Sequence, residues 1–146
     1  MRIYRNGEYF AEGDDLLIIA AVANEEVALY SFHPDDYRAH KVSEIKAACE
    51  DDLASLQASY PESEVLSWDK QEREARAFKA DPASSVPLIA NLAAVRGISV
   101  SDLADRIIQK ADAYTAAIGQ ALGRRQKLED QLNLMTKWEE MEAVNW

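Results

Sequence analysis

A long stretch from Ser99 to Leu132 constrains the fold more than any other feature, because its pattern is that of one uninterrupted helix. Its apolar residues recur at alternating steps of three and four, and only Arg125 interrupts the series. Such alternation has a mean period of about 3.5 residues, which is typical of a coiled coil. The apolar seam consists of Ile107, Ala111, Tyr114, Ile118, Ala121, Leu128 and Leu132.

The length of this helix predicts that it reaches a second molecule. At 1.5 Å per residue the helix would span roughly 50 Å. A compact domain of 146 residues has a radius of gyration of only about 15 Å. We therefore expect the chain to leave the seam uncovered, so that it binds another protein or, as a homo-oligomer, a second copy.

The acidic net charge disfavours two classes of binding partner, nucleic acids and acidic membranes. The net charge is −10, and the acidic residues are concentrated in the N-terminal half. A phosphate backbone or an acidic membrane surface would be repelled, so nucleic acid and membrane are not expected as partners. The longest apolar run, Leu16–Ala23, is shorter than a membrane span of about 20 residues, and the first residues lack the apolar core of a signal peptide. These features predict a cytoplasmic protein.

The N-terminal residues indicate a small β unit. Arg2–Arg5 alternates, Asn6-Gly7 is typical of a tight hairpin turn, and Glu8–Phe10 returns. The apolar run Leu16–Val22 fits a strand covered on both faces or, because of its alanines, a short helix. Val27–Phe32 is rich in β-branched and aromatic residues and fits a last strand. The expected product is an antiparallel meander of three or four strands.

Helices follow the β unit. A helix from about Asp35 to Tyr60 has one apolar stripe and is predicted to cover the sheet; Pro61 ends it. A second is predicted over Trp68–Lys79, capped by Ser67. A third begins near Pro87, with Ser85 as its cap.

The pattern around Gly97 marks the entry to the long helix. Gly97 is expected to adopt the left-handed conformation that stops the preceding helix, and Ser99 to cap the long one. The fold class is therefore α+β, with an N-terminal unit over residues 1–62 and a helical region over 63–146. The helical region contains the long arm, about 99–133, and an acidic tail with tryptophans.

Three residues inside the long helix are further candidates for partner binding. Gly119 and Gly123 each cost about 1 kcal/mol in a helix interior, so either a partner helix packs closely against them or the helix bends there. Arg125 stands in the seam, where it can fix the register of a coiled coil or can extend its guanidinium to solvent.

Two tryptophans in the acidic tail have two interpretations. Trp138 and Trp146 lie outside any obvious core, which is typical of interface anchors. They can equally pack back on the long helix.

No pattern in the sequence predicts catalysis. The two histidines, His33 and His40, have no second ligand at metal spacing, and Cys49 lacks the basic setting of a nucleophile. No serine lies in a nucleophile elbow, and no glycine-rich phosphate loop occurs. We therefore expect neither an enzyme nor a cofactor nor a metal site.

The segment from Trp68 to Leu132 resembles a known family. Trp68 to Phe78 is similar to the pattern W-x-x-Q-E-x-E-A-x-A-[FW] of small tailed-phage proteins. The likeness continues through Asp81-Pro82, Pro87-Leu88-Ile89, Leu92 to Gly97, Leu103, Ile107, Lys110-Ala111, Tyr114, Gly119, Gly123 to Gln126 and Leu128 to Asp130. These residues resemble the tail fibre assembly proteins, or fibre chaperones, that are encoded beside phage tail fibres.

The resemblance implies a function by binding. Chaperones of this family help a trimeric tail fibre fold or join its baseplate, and they carry no catalytic residue that could be transferred. The partner would be the tail fibre protein in the bacterial host cytoplasm, with virion association as a further possibility. Two other functions remain open: a structural tail or baseplate adaptor of the virion, and a small phage-encoded inhibitor of a host protein.

Overall fold

The computed structural model describes residues 1–13 and 30–146, and these form an α+β fold. The described strands are β1 (Arg2–Arg5), β2 (Glu8–Glu12) and β3 (Tyr30–Phe32). The described helices are α1 (Pro34–Ser55), α2 (Glu62–Val65), α3 (Trp68–Ala80), α4 (Pro87–Arg96), α5 (Val100–Leu134) and α6 (Trp138–Met141). The predicted class is thus confirmed, and α5 is the long helix.

The described strands form one antiparallel sheet in the order β2-β1-β3. Asn6 and Gly7 connect β1 to β2 with φ angles of 52° and 84°. Two consecutive positive φ angles are those of a type I′ turn, so the predicted hairpin is confirmed. The element predicted over Leu16–Val22 lies outside the described residues, as does the start of the one predicted over Val27–Phe32.

Two consecutive aromatic residues of β2 lie on opposite faces of the sheet, and a β-bulge follows the first of them. Tyr4 pairs with Tyr9 but Ile3 pairs with Ala11, so Phe10 is the extra residue. The Phe10 ring lies 5.7 Å from the ring of Tyr30, on the face that includes the buried Ile3. Tyr9 contacts Tyr4 on the other face, with ring centroids 6.2 Å apart.

The chain divides into two compact units, and their bounds differ from those of the predicted domains. One unit comprises Met1–Asp51 and Leu122–Trp146, and the other comprises Asp52–Ala121. Helix α5 therefore contributes its first part to one unit and its last part to the other. We call the unit of Met1–Asp51 and Leu122–Trp146 the sheet unit, and the unit of Asp52–Ala121 the helical unit.

The core of the sheet unit draws on strands, helix α1 and the C-terminal tail. As predicted, α1 covers the sheet, because its Tyr37 and Ile45 share one core with Ile3 and Phe32. The end of α5 and the tail complete this core. Its buried members are Ile3, Tyr30, Phe32, Tyr37, Ile45, Leu132, Met141 and Val144.

Polar side chains of α1 form hydrogen bonds with strand β1 and with the end of α5. The carboxylate of Asp36 accepts hydrogen bonds of 2.8 Å from Nε, Nη2 and the backbone N–H of Arg2. Arg38 donates from Nε to the carbonyl oxygen of Leu132 at 3.1 Å and from Nη2 to that of Met135 at 2.8 Å. A guanidinium at this position satisfies carbonyl groups that a helix C-terminus leaves unpaired.

The core of the helical unit is formed where α3 and α4 pack on the start of α5. Its buried members are Ala75, Ile89, Ala93, Leu103 and Ala104. Phe78 and Ile107 are half-buried against it.

Several predicted helix ends are confirmed. Gly97 adopts the left-handed conformation with φ of 64° at the end of α4, and Pro87 is the first residue of that helix. The Ser99 hydroxyl accepts the backbone N–H of Asp102 at 3.0 Å, as expected of the residue that caps α5.

One predicted helix end is wrong, and two predicted caps differ in their hydrogen bonds. Helix α1 ends at Ser55 rather than Tyr60, because residues 56–60 form turns. Ser67 occupies the N-cap position of α3, as predicted, but its hydroxyl donates to the carbonyl of Glu64 and makes no capping hydrogen bond. Ser85 does not cap α4, because the carboxylate of Glu74 from α3 accepts the N–H groups of Leu88 at 2.8 Å and Ile89 at 3.0 Å.

Candidate partner-binding residues

The first half of the predicted seam packs within the helical unit. Ile107 is half-buried against the core of that unit. The Tyr114 hydroxyl accepts a hydrogen bond from the Gln57 side chain, and the Tyr114 ring meets Trp68 edge to face at 5.3 Å. Trp68 in turn meets Tyr60 at 5.0 Å, so Tyr114 belongs to an aromatic cluster of its own chain.

The second half of the seam packs within the sheet unit. Leu132 has no exposed surface and belongs to the core, and Leu128 is half-buried against it. The expectation that the chain leaves the seam uncovered is therefore wrong at Leu132, and Leu128 is covered in part. A long amphipathic helix can be covered by its own chain when separate stretches of it belong to separate compact units.

The middle of the helix differs from its two ends. Ile118 is half-buried, whereas Gly119 and Gly123 are exposed. A Cβ atom built on either glycine meets nothing within 4 Å. No described part of the chain therefore packs closely against these glycines. The space beside them is open to a helix of a partner protein.

Arg125, which stands in the seam, forms an ion pair with Glu129 in the next turn of the same helix. Its Nη1 atom lies 3.5 Å from the carboxylate of Glu129, and both side chains are about a quarter exposed. This i,i+4 pair gives Arg125 a partner within its own helix.

The two tryptophans of the tail pack against their own unit. The Trp138 ring meets Phe32 at 5.1 Å and Tyr37 at 5.6 Å, in the core of the sheet unit. The guanidinium carbon of Arg124 lies 4.6 Å from the ring centroid of Trp146, within the range of a cation–π contact. Of the two interpretations, the structure therefore favours packing on the chain itself, although both side chains remain half-exposed.

The most exposed aromatic residues lie on β2, which the sequence pattern did not indicate as a site. Tyr9 is 60% exposed and Phe10 is 53% exposed. Other exposed large apolar side chains are Leu66, Val95 and Leu134. Adjacent aromatic residues in a short strand directly after a hairpin turn are the signal that could have drawn attention to β2.

The shifted pKa values reflect ion pairs and burial. The hydrogen bonds from Arg2 hold the pKa of Asp36 well below its usual range. Hydrogen bonds to Asp112 and Glu72 raise the pKa of Arg76, and burial raises that of Tyr37. The Arg2–Asp36 and Arg76–Asp112 pairs join different elements of the fold, which indicates a structural use of these charges.

The described residues contain neither a metal-binding cluster nor a membrane-spanning helix. No group of three or more His, Cys, Asp or Glu side chains that could hold a metal ion occurs there. Within the same residues, no helix combines the length and the apolar character that crossing a membrane requires.

A protein-family model matches part of the chain. The model of a family described as the HI1402 helical domain matches residues 109–146, which include the last part of α5, the tail and α6. No curated protein and no solved structure matches the chain.

Proposed function

We propose that this protein is a tail fibre assembly chaperone of a phage or phage-derived particle, which binds the fibre protein and assists its folding, trimerisation or attachment without catalysis. The observation that carries the proposal is the ordered series of motif residues between Trp68 and Leu132. The protein would act in the bacterial host cytoplasm.

The placement of the motif residues supports a shared folded unit. Ala75 and Leu103 are buried in the core of the helical unit, and Gly97 ends α4. Glu74, the second glutamate of the motif, caps α4 from α3. Because each of these residues has a structural role, the motif describes how the unit folds, and surfaces outside it would contact the fibre.

Exposed aromatic surface supports a binding role. Tyr9 and Phe10 stand more than half exposed on neighbouring positions of one strand. Aromatic residues are enriched among those that dominate the energy of protein interfaces. A chaperone and a virion adaptor could both bind through these residues. The experiment must therefore separate the two functions.

The test is co-expression with the tail fibre protein that this proposal predicts to be encoded beside the gene for this chain. We expect more soluble fibre of trimeric mass by light scattering when this protein is present than when a control protein of similar size and charge replaces it. Equal yields of soluble trimer with both would contradict the chaperone. Retention of the protein in purified particles would favour a structural adaptor, and capture of a host protein without fibre would favour an inhibitor.

A further inference from the structure

Strand β2 lies at the edge of the sheet that residues 1–13 and 30–146 form. It lies at the end of the order β2-β1-β3, and among the described residues no strand pairs with its outer side. Its burial pattern is exposed at every position but Ala11, which is half-buried. An edge of this kind presents backbone donors and acceptors that can pair with another strand.

The hairpin geometry identifies which backbone groups point outward. In a two-residue hairpin the residues that flank the turn, here Arg5 and Glu8, exchange hydrogen bonds with each other, so the next residue, Tyr9, directs its N–H and C=O away from β1. At the other end Arg2 uses its carbonyl to accept the N–H of His33 at 3.2 Å, on the β3 side. Its β2 partner Glu12 therefore also directs its backbone groups outward.

The alternation of side chains along β2 provides an aromatic ring on each face beside this edge. Tyr9 lies on the face of Tyr4, whereas Phe10 lies on the face of Tyr30. A strand that pairs with β2 would thus find an aromatic ring on either side of it. Aromatic cross-strand neighbours stabilise such pairing beyond the backbone hydrogen bonds.

The charges along the edge select the kind of strand. Glu8 and Glu12 are exposed, and β2 carries no basic residue. The nearby guanidinium of Arg5 already lies over the Phe10 and Tyr30 rings, at 5.9 and 5.6 Å. A second copy of β2 would bring two more carboxylates to the same edge, which like-charge repulsion disfavours, whereas lysines or arginines on the incoming strand would be attracted.

We propose that the outer edge of β2 binds an extended segment of the partner protein by strand addition, and that this segment carries apolar residues flanked by lysine or arginine. The inference rests on the proposed function for the identity of the protein that carries the segment. The recognition itself depends only on the edge, the two rings and the two carboxylates.

The probe is a capped ten-residue peptide of alternating threonine and valine with two lysines three residues apart, because the register places Glu8 and Glu12 on opposite faces of the sheet. It is titrated into the full-length ¹⁵N-labelled protein. We expect the amide resonances of Tyr9 and Glu12 to shift, with a dissociation constant on the order of 1 mM because few hydrogen bonds form. A peptide with glutamates in place of the lysines should bind several-fold more weakly, and Glu8→Gln with Glu12→Gln should remove that preference.

Paired variants separate the backbone edge from the side chain. Tyr9→Ala removes the ring and keeps the outward N–H, whereas Tyr9→Pro removes both, and proline is tolerated where an edge N–H faces solvent. We expect Tyr9→Pro to bind up to about tenfold more weakly than Tyr9→Ala. A lysine peptide N-methylated along the edge that would pair with β2 tests the same bond on the unmodified protein and should not bind. Equal binding by both variants, binding of the N-methylated peptide, or shifts confined to residues away from β2 would overturn strand addition.

The outcome is independent of the chaperone test. Peptide binding at β2 without any effect of the protein on fibre yield would contradict the proposed function and leave the edge site standing. An effect on fibre yield that Tyr9→Pro preserves, together with no peptide binding, would overturn the edge site alone.

Discussion

The guanidinium of Arg2 forms a two-pronged salt bridge with the carboxylate of Asp36, with Nε–Oδ2 and Nη2–Oδ1 distances of 2.8 Å each. The backbone N–H of Arg2 also donates to Oδ2 at 2.8 Å. The first strand and the first turn of α1 are thus joined by three charge-assisted hydrogen bonds. Such bidentate pairs hold geometry more strictly than single contacts do.

This pair predicts a loss of stability in acid. The pKa of Asp36 is lowered in the folded protein, chiefly by the hydrogen bond from Arg2, whereas the unfolded chain has the ordinary value near 3.9. The stabilisation is therefore complete well above about pH 4 and is lost progressively as pH falls below it. Urea unfolding of Asp36→Asn should show lower stability than the parent at pH 7, with a gap that narrows in acid. Asp130→Asn, at an exposed position, is the control and should show no such gap.

The cap that Glu74 provides can be measured against a neighbour on the same helix. Glu74→Ala leaves the N–H groups of Leu88 and Ile89 without their acceptor, and we expect a loss of about 1–2 kcal/mol in the free energy of unfolding. Glu72→Ala removes only a half-exposed i,i+4 pair with Arg76 and should cost about 0.5 kcal/mol or less. If urea titrations give equal losses of unfolding free energy for the two variants, the cap contributes no more than a surface ion pair.

A matched pair of leucines tests whether the end of α5 is core or interface. Leu132 is fully buried and Leu134 is 85% exposed. Leu132→Ala should lower the free energy of unfolding by about 2–5 kcal/mol, because it removes transfer energy and leaves a cavity. Leu134→Ala should change it by less than about 0.5 kcal/mol. Similar small effects for both would restore Leu132 to the candidate partner surface.

The glycines in the middle of α5 make a prediction of opposite sign. Because a Cβ at Gly119 or Gly123 meets open space, replacing each by alanine should stabilise the protein by about 0.5–1 kcal/mol. Gly97→Ala is the contrasting control and should destabilise it, since φ is 64° there. If the double alanine variant is more stable but no longer binds the fibre protein, these glycines form a close-packed contact with the partner. Unchanged fibre binding would assign them no such contact.

Features fixed by neighbouring residues could be predicted from the sequence. The Asn6-Gly7 turn, the left-handed Gly97 and the Ser99 cap each depend on residues within a few positions, and all three are as expected. The bounds of the long helix follow from its apolar period, and α5 extends over Val100–Leu134.

Features that depend on residues far apart in the sequence could not be predicted from it. Ser85 is a good local candidate for the cap of α4, but a carboxylate from another helix takes that role. The period of α5 predicts an apolar stripe without saying what covers it, and the core around Leu132 includes residues from the first strand and the tail. The exposure of Tyr9 and Phe10 likewise depends on the order of strands in the sheet.

The most direct measurement is the mass and yield of the fibre protein purified after co-expression with this chain or with a control protein. The proposed chaperone predicts a larger yield of soluble trimeric fibre, and a complex that contains this protein before assembly is complete. The same yield of correctly assembled fibre in its absence, with no complex at any stage, would contradict it.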